Sequence, residues 1–132
     1  MVVRFSEEVR PLLDGANYGH LCTLMPDGSP QSTVVWVERV ADRVRINMAK
    51  GRVKYHNVLR DPRVALSVRD RDDPSTYVQI RGIGRLIEDG AVEHVHRLSR
   101  KYVGRDYSDI DTDPPRIILE ITPLSVHYHH HD

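Results

Sequence analysis

The strongest constraint on the fold of this chain is a series of short strand-like segments separated by tight turn signals. Residues 19–24 lead into the turn sequence PDGS at 26–29, and residues 31–38 follow with many β-branched side chains. Residues 43–48 and 64–68 alternate polar and apolar side chains, as a half-buried strand does. The tight turns between most of these segments join antiparallel neighbours, because parallel strands need a long crossover. The sequence therefore predicts a mainly β, antiparallel fold.

Two further strands and three helices complete the predicted order. Residues 77–87 are predicted to form a long strand that changes face near Gly82 and Gly84, where a bulge permits it. Residues 117–121 form the last clear strand, and residues 123–128 are expected to add an edge segment. The helices are predicted to run from Ser6 to Asp14, from Gly51 to Arg60 and from Gly90 to Gly104. Six such strands most economically close into a small barrel whose ends the helices cover.

Composition predicts a single domain, residues 1–132. The chain has 19 basic and 19 acidic side chains, and this balance argues against a dedicated nucleic-acid-binding protein. No apolar run approaches the roughly 20 residues that cross a bilayer, and the first residues lack the apolar core of a secretion signal. Cys22 is the single cysteine, so no internal disulfide is possible, which favours the cytoplasm.

Residues 47–63 (NMAKGRVKYHNVLRDPR) carry the densest local charge. From Arg43 to Arg60 there are six basic residues and no acidic one. Gly51 lies where the strand pattern gives way to a helical pattern. The first amides of a helix, together with nearby cations, form a natural site for an anion. Charge pattern alone leaves two interpretations open, an anion site and a solvated basic helix turn.

Other titratable residues are not assigned to a site. His127 and residues 129–131 lack a paired acid or cysteine at ligand spacing, so we expect a mobile histidine-rich end that binds metal weakly. His94 and His96 are two residues apart on a helix and therefore point to different faces. The alternating acids of residues 109–113 lack the closing glutamate of a calcium loop and are interpreted as solvated. The sequence therefore predicts no metal site.

Most of the chain resembles one protein family. The motifs that carry the resemblance are CTL at residues 22–24, DGSPQ at 27–31, VW at 35–36, GRVKYHNVLRDPRV at 51–64, YVQIRG at 77–82 and KYVGRDY at 101–107. These motifs, in this order, resemble those of the pyridoxamine-phosphate-oxidase-like split β-barrel proteins, also called the FMN-binding split barrel. They are most similar to the short branch that depends on the deazaflavin coenzyme F420. The resemblance implies a six-stranded antiparallel split β-barrel with about three flanking helices that forms a homodimer.

The resemblance also implies where a cofactor binds. Arg52 and Lys54 would hold its phosphate, with Lys50 adding charge for the phosphate or an acidic tail. Residues 31–35 would lie along the flat ring, with Thr33 as a side-chain contact, and Tyr77 with Gln79 would come from the opposing subunit. The full implied cofactor-binding set is Gln31, Thr33, Val34, Val35, Ala49, Lys50, Gly51, Arg52, Lys54, Asn57, Tyr77 and Gln79.

No catalytic side chain is named, because in such proteins the cofactor carries the hydride chemistry. The implied activity is hydride transfer between reduced coenzyme F420 and a small conjugated acceptor, in a homodimer with the cofactor at its interface. The chain ends without the arginine that true pyridoxamine phosphate oxidases use for the vitamer phosphate. Two alternatives stay open: an FMN-binding oxidoreductase of that type, and a non-enzymatic module that binds a flavin or tetrapyrrole. Neither nucleic acid nor a membrane is an expected partner.

Overall fold

The structure is a computed structural model that describes residues 3–110 and 114–130. In these residues seven strands form one antiparallel sheet that three helices flank. The strands are β1 (Gly19–Leu24), β2 (Pro30–Val35), β3 (Glu38–Val40), β4 (Arg43–Ala49), β5 (Arg63–Arg69), β6 (Tyr77–Ile87) and β7 (Arg116–His129). The helices are α1 (Val9–Asp14), α2 (Val53–Arg60) and α3 (Ala91–Tyr102). None of these helices in the described residues is long and apolar enough to cross a membrane.

The order of strands across the sheet shows how it curls. The order is β2-β1-β5-β6-β7-β4-β3. β2 and β3 are therefore the two terminal strands, yet only Trp36 and Val37 separate them along the chain. Three residue steps reach no further than about 11 Å, so the two edges of the sheet must approach each other. The sheet curls into a barrel with an open seam, since β2 pairs only with β1 in the described residues.

The hydrophobic core fills the inside of this barrel. Its largest fully buried side chains are Phe5, Leu13, Leu21, Ile46, Met48, Leu66, Ile80, Leu119 and Ile121. The short helix α1 contributes Leu12 and Leu13 to the core, and α2 contributes Val58. Helix α3 instead packs on the outside against β4 and β7, which is why successive residues of β7 are buried on both of its faces.

The predicted fold class is confirmed, and the predicted bounds of β1 and β6 agree with the structure. The sheet has seven strands rather than six in the described residues, because the segment predicted at 31–38 breaks after Val35 and resumes as β3. Tyr102 explains the break: its hydroxyl accepts a hydrogen bond from the amide of Val37 (3.0 Å) and donates one to the carbonyl of Asn17 (2.7 Å). The indole of Trp36 stacks on the same tyrosine ring at 5.4 Å.

The long strand β6 does not change face, so that part of the prediction is wrong. Its core-facing alternation continues to the end of the strand, with Gly82 and Gly84 at two inward positions. A Cβ atom would lie 2.3 Å from the carbonyl oxygen of Thr122 at the first position, and 2.6 Å from Leu119 at the second. The predicted irregularity is present, because the register against β7 shifts between Arg81 and Gly82. Glycine is therefore required here by close approach of β7.

The last segment of the chain also differs from its prediction. The segments predicted at 117–121 and 123–128 form one strand, β7, which lies between β6 and β4 rather than at an edge. His127 and His129 belong to this strand and pair with β6, so the expected mobile end is wrong for them. His131, and Asp111 and Asp113 of the predicted acidic loop, lie outside the described residues.

Candidate functional site

Helix α2 begins directly after the turn that ends β4. Gly51 in this turn adopts a φ of +90°, a left-handed conformation that glycine reaches without strain. Arg52 is the N-cap residue, with extended backbone, and no side chain caps the helix. The first turn of α2 contains no acidic residue. The amide end of α2 thus keeps its partial positive charge with no side-chain acceptor of its own.

Lys54, in the first turn of α2, is half-buried and reaches Thr33 of β2. Its Nζ lies 3.5 Å from Oγ1 of Thr33. Burial, and then the guanidinium groups of Arg52 and Arg116, lower the pKa of the Lys54 ammonium. In the part of the chain that the structure describes, no carboxylate forms an ion pair with Lys54 or Arg52. We call Arg52, Lys54 and Arg116 the seam cations, and an anion among them would relieve their mutual repulsion.

The other four cations between Arg43 and Arg60 have acceptors within the fold. These acceptors are Glu120 for Arg43 and Arg45, Glu88 for Lys50, and the Leu24 carbonyl and Asn57 amide for Arg60. The charge run that stood out in the sequence therefore divides in two. Four of its cations are engaged with the protein itself, and Arg52 with Lys54 remain at the helix start.

Lys54 lines a cleft of about 180 Å³ that lies in the barrel seam, which we call the seam cleft. Residues 34–36, at the end of β2, form one wall of the cleft. Asn47 of β4 and Arg116 at the start of β7 lie on the other side, and the ring of Tyr107 also borders the space. The cleft thus combines cations with aromatic and aliphatic surface.

The residues predicted on β2 lie next to Lys54. Gln31 and Thr33 alternate with outward-facing neighbours and are half-buried on the side that Lys54 approaches. Val34 points outward and is 62% exposed, and it lines the seam cleft together with Val35. The second edge of β2 pairs with no strand in the described residues, so half of its backbone amides face the seam.

Two other predicted residues serve the fold around the helix start. Ala49 is buried, and its carbonyl accepts a hydrogen bond from the amide of Arg52 at 3.4 Å. Asn57 is also buried, and its Nδ2 donates to Oγ1 of Thr23 on β1 at 3.0 Å. These contacts fix α2 against β1 and β4. Direct contact of either residue with a cofactor stays a prediction.

Tyr77 and Gln79 lie on the opposite face of the sheet from Lys54. The register places Gln79 beside Ser67 of β5 and His127 of β7, all on the outer face. There Gln79 borders a groove of about 480 Å³ that runs across β1, β5, β6 and β7, and Tyr77 borders a neighbouring groove of about 380 Å³. Two strands separate β6 from β2, so a single chain does not bring these residues to the seam cleft. Their predicted origin in the opposing subunit stays a prediction.

Sequence reasoning did not assign Asn47, Arg116 or Tyr107 to the site. The Nε of Arg116 donates to Oδ1 of Asn47 at 2.8 Å, although the two residues are 69 positions apart. The guanidinium carbon lies 5.2 Å from the centre of the Tyr107 ring. Pairing of β4 with β7 creates this juxtaposition by placing Ala49 opposite Arg116. Tyr107 carried a sequence signal, since it ends the KYVGRDY motif, and Asn47 begins the basic stretch at residues 47–63.

A curled antiparallel sheet with an open seam and a cationic helix start beside it defines a split β-barrel protein. Residues 5–130 match the family described as pyridoxamine 5'-phosphate oxidase, so this chain belongs to that family. The family includes oxidoreductases, and its fold binds flavin-type cofactors.

Solved structures agree with this assignment. A structure described as an F420 reductase superimposes with a TM-score of 0.84 at 30% identity, over 93% of this chain and 98% of that one. A conserved hypothetical protein of Mycobacterium tuberculosis gives a TM-score of 0.77 at 23% identity, over 97% and 86% of the two chains. General stress protein 26 of Bacillus anthracis gives 0.73 at 18% identity, over 93% and 92%. The last two likenesses show the fold alone.

Proposed function

We propose that this protein is a coenzyme F420-dependent oxidoreductase that transfers hydride between the reduced deazaflavin and a small conjugated acceptor. The observation that carries the proposal is the group of seam cations at the uncapped start of α2, beside the free edge of β2. The likeness to an F420 reductase at 30% identity over 93% of the chain supports the deazaflavin over FMN. Both coenzymes carry a phosphate, so the cations by themselves do not choose between them.

The residues present fit a phosphate-bearing coenzyme. Lys54 and Arg52 would hold the phosphate, Lys54 as a point charge and Arg52 through paired donors. The free amides of β2 and the hydroxyl of Thr33 would meet the polar edge of a flat ring. Val34 and Val35 would cover part of its apolar surface.

The bound coenzyme supplies the hydride chemistry, and the chain supplies binding, orientation and exclusion of water. Binding of an anion would stabilise the ammonium of Lys54, because the anion would offset both the burial of this group and the repulsion from its neighbours. The aromatic and aliphatic walls of the seam cleft, which include Trp36 and Tyr107, would keep water from one side of a bound ring.

We also propose that the active form is a homodimer. The seam cleft of about 180 Å³ is smaller than the roughly 300 Å³ at which ligand pockets begin. A second copy would enlarge it and would contribute Tyr77 and Gln79, which one chain keeps on the far face of the sheet.

A complementation experiment tests this shared site. Lys54→Ala and Tyr77→Ala variants are each purified, mixed, and unfolded and refolded together. If one site takes Lys54 from one chain and Tyr77 from the other, about a quarter of the sites in the mixture are intact, and coenzyme binding returns. If both residues served the same chain, every site would carry a defect and mixing would restore nothing.

Titration of the purified protein with coenzyme F420 and with FMN, followed by fluorescence, tests the cofactor itself. We expect dissociation constants on the order of micromolar for F420 and weaker binding of FMN. Oxidation of the reduced deazaflavin is then measured against a panel of quinones and other conjugated acceptors. Micromolar FMN binding without F420 binding would overturn the cofactor assignment. Tight F420 binding without turnover of any acceptor would instead favour a non-enzymatic binding module.

A further inference from the structure

A chain of polar contacts runs from the outer surface of the barrel to the seam cleft. Its members, in spatial order, are Arg97, Glu38, His94, Asn47 and Arg116. The middle of this chain is deeply buried, since His94 has 0% of its surface exposed and lies under α3. Burial of so many polar groups is unfavourable unless each is held by a partner.

The orientation of Asn47 is fixed by its neighbours. Its Oδ1 accepts from Nε of Arg116 at 2.8 Å, and its Nδ2 donates to the carbonyl of Ala91 at 2.8 Å. A guanidinium only donates and a carbonyl only accepts, so the reverse orientation of the amide would lose both bonds. Nδ2 also lies 3.1 Å from Nδ1 of His94, which must therefore accept.

The histidine is oriented in turn by Glu38. With Nδ1 as acceptor, a neutral His94 carries its proton on Nε2, and this atom lies 3.2 Å from Oε1 of Glu38. The two atoms do not form a well-aligned hydrogen bond, so the contact is electrostatic. Burial alone would raise the pKa of Glu38, but its contacts with His94 and Arg97 outweigh this and lower it to about 2. The carboxylate of Glu38 is therefore ionised at neutral pH.

The inner end of this chain of polar contacts holds Arg116 at the seam cleft. Its guanidinium lies over the Tyr107 ring and is close enough to Lys54 to disfavour the lysine's charge. Arg116 and Lys54 line the same cleft, so one anion bound there would interact favourably with both cations. If these residues served only to pack α3, apolar side chains at the same positions would do so equally well.

We propose that Arg116 is a third anion-binding residue of the seam cleft and that Asn47, oriented by His94 and Glu38, is the positioning residue that aims it. The ligand class is a phosphate-bearing molecule, and this identification rests on the proposed function. Arg52 is exposed and Lys54 is a flexible point charge. Arg116 is thus the cation of the three whose direction the fold determines.

The first test compares ligands that differ only in the phosphate. The dissociation constants of FMN and riboflavin are measured for the wild-type protein, for Arg116→Gln and for Arg10→Gln, a control with the same charge change on the exposed face of α1. We expect Arg116→Gln to weaken FMN about tenfold or more while riboflavin is unchanged, as for loss of a charge-assisted hydrogen bond. Equal loss for both ligands, or none, would overturn the role of Arg116.

A double-mutant cycle tests the positioning role of Asn47. Asn47→Leu is expected to weaken FMN about tenfold in the wild-type background and to have no further effect in the Arg116→Gln background. A role in packing alone would weaken riboflavin as well and would persist in the second background. The circular dichroism spectrum and the Tm of each variant show whether it is folded.

Failure of this inference differs from failure of the proposed function. If Lys54→Ala abolishes the preference for FMN over riboflavin and Arg116→Gln does not, the cleft binds phosphate without Arg116. If the wild-type protein binds neither F420 nor FMN, the proposed function fails, and inorganic phosphate then serves as the probe. The rise in Tm with phosphate, against chloride at equal ionic strength, must be smaller in Arg116→Gln than in Arg10→Gln, and equal rises would overturn the inference.

Discussion

Two cationic regions of the barrel, the cluster around Glu120 and the start of α2, differ in how their charges are balanced. The Glu120 cluster consists of Glu120 with Arg45 at 2.8 Å, Arg85 at 3.1 Å and Arg43 at 3.9 Å. The seam cations approach one another with no acidic partner for Lys54 or Arg52 in the described residues. The Glu120 side chain is only 7% exposed, so its cluster is part of the fold.

The contrast separates charge that serves stability from charge that serves binding. Burial by itself would raise the pKa of Glu120, but hydrogen bonds from Arg45 and Arg85 outweigh it and lower that pKa. The cluster thus favours the charged form of its central carboxylate. Burial and like charges instead disfavour the charged form of Lys54, and a bound anion would offset this effect. In the sequence, Arg43 and Arg45 belong to the same basic run as Arg52 and Lys54, and the fold separates the two pairs.

The largest expected effect comes from removing the central carboxylate. Glu120→Gln should lower the free energy of unfolding by about 3 kcal/mol, because it weakens two charge-assisted hydrogen bonds to a buried acceptor. Urea denaturation measures this change, and Glu88→Gln is the matched control, since Glu88 is exposed and its surface ion pair is expected to contribute little to stability. Coenzyme affinity should stay unchanged. A variant that loses affinity but not stability would reverse the two roles.

Lys54→Ala should weaken coenzyme binding without lowering stability, the reverse of the result expected for Glu120→Gln. We expect coenzyme binding to weaken by about 1.5–3 kcal/mol, the size of a charged hydrogen bond, while the free energy of unfolding stays the same or rises. Fluorescence titration with F420 and FMN measures the loss, and Lys54→Arg, which keeps the charge, should recover much of it. Unchanged affinity in Lys54→Ala would place the phosphate elsewhere.

The lowered pKa of Lys54 predicts opposite pH dependence for stability and for binding. Between its folded pKa and its ordinary value of 10.5, the unfolded chain holds more protons, so the free energy of unfolding rises with pH in that window. Phosphate binding needs the ammonium, so affinity for FMN should fall about tenfold as Lys54 deprotonates. A phosphate monoester has lost its second proton well below this range. Lys54→Ala should lack both trends, and a parallel fall in the variant would assign the titration to another group.

The smallest effect is expected at Lys50, which the family resemblance placed among the cofactor-binding residues. Its ammonium is engaged with Glu88 at the surface, so Lys50→Ala should leave the free energy of unfolding essentially unchanged. Coenzyme affinity should change by less than about twofold, because an exposed charge is screened by salt. A tenfold loss of affinity would show that Lys50 exchanges Glu88 for the ligand.

Local pattern was enough to predict much of the fold. β1 lies between clear turn signals, and β6 is a long alternating segment, so both were predicted with correct bounds. The break after Val35 was not predictable, because its cause is Tyr102, which binds the Val37 amide from 65 positions away. β7 was divided in the prediction at Pro123, a residue that a central strand tolerates only at an irregularity. That irregularity depends on Gly82 of the neighbouring strand.

The candidate site, like the fold, was predictable from the sequence only in part. The helix start at Gly51 to Lys54 was predictable from a strand pattern, a glycine and a basic helix in succession. Arg116 and Asn47 were not, because only the register of β4 against β7 brings them together. The separation of Tyr77 from Lys54 likewise depends on which face of the sheet each strand presents, and no short motif contains that information.

The unpaired edge of β2 has a consequence for local unfolding. Alternate amides of an edge strand point away from its neighbour, so those that face the seam should exchange with deuterium far faster than those bonded to β1. A ligand held between Thr33 and Lys54 would tie this strand to α2, which precedes β5 on the far side of β1. Ligand binding would then slow deuterium exchange along β2 first, and the ligand would determine how often the barrel opens at this edge.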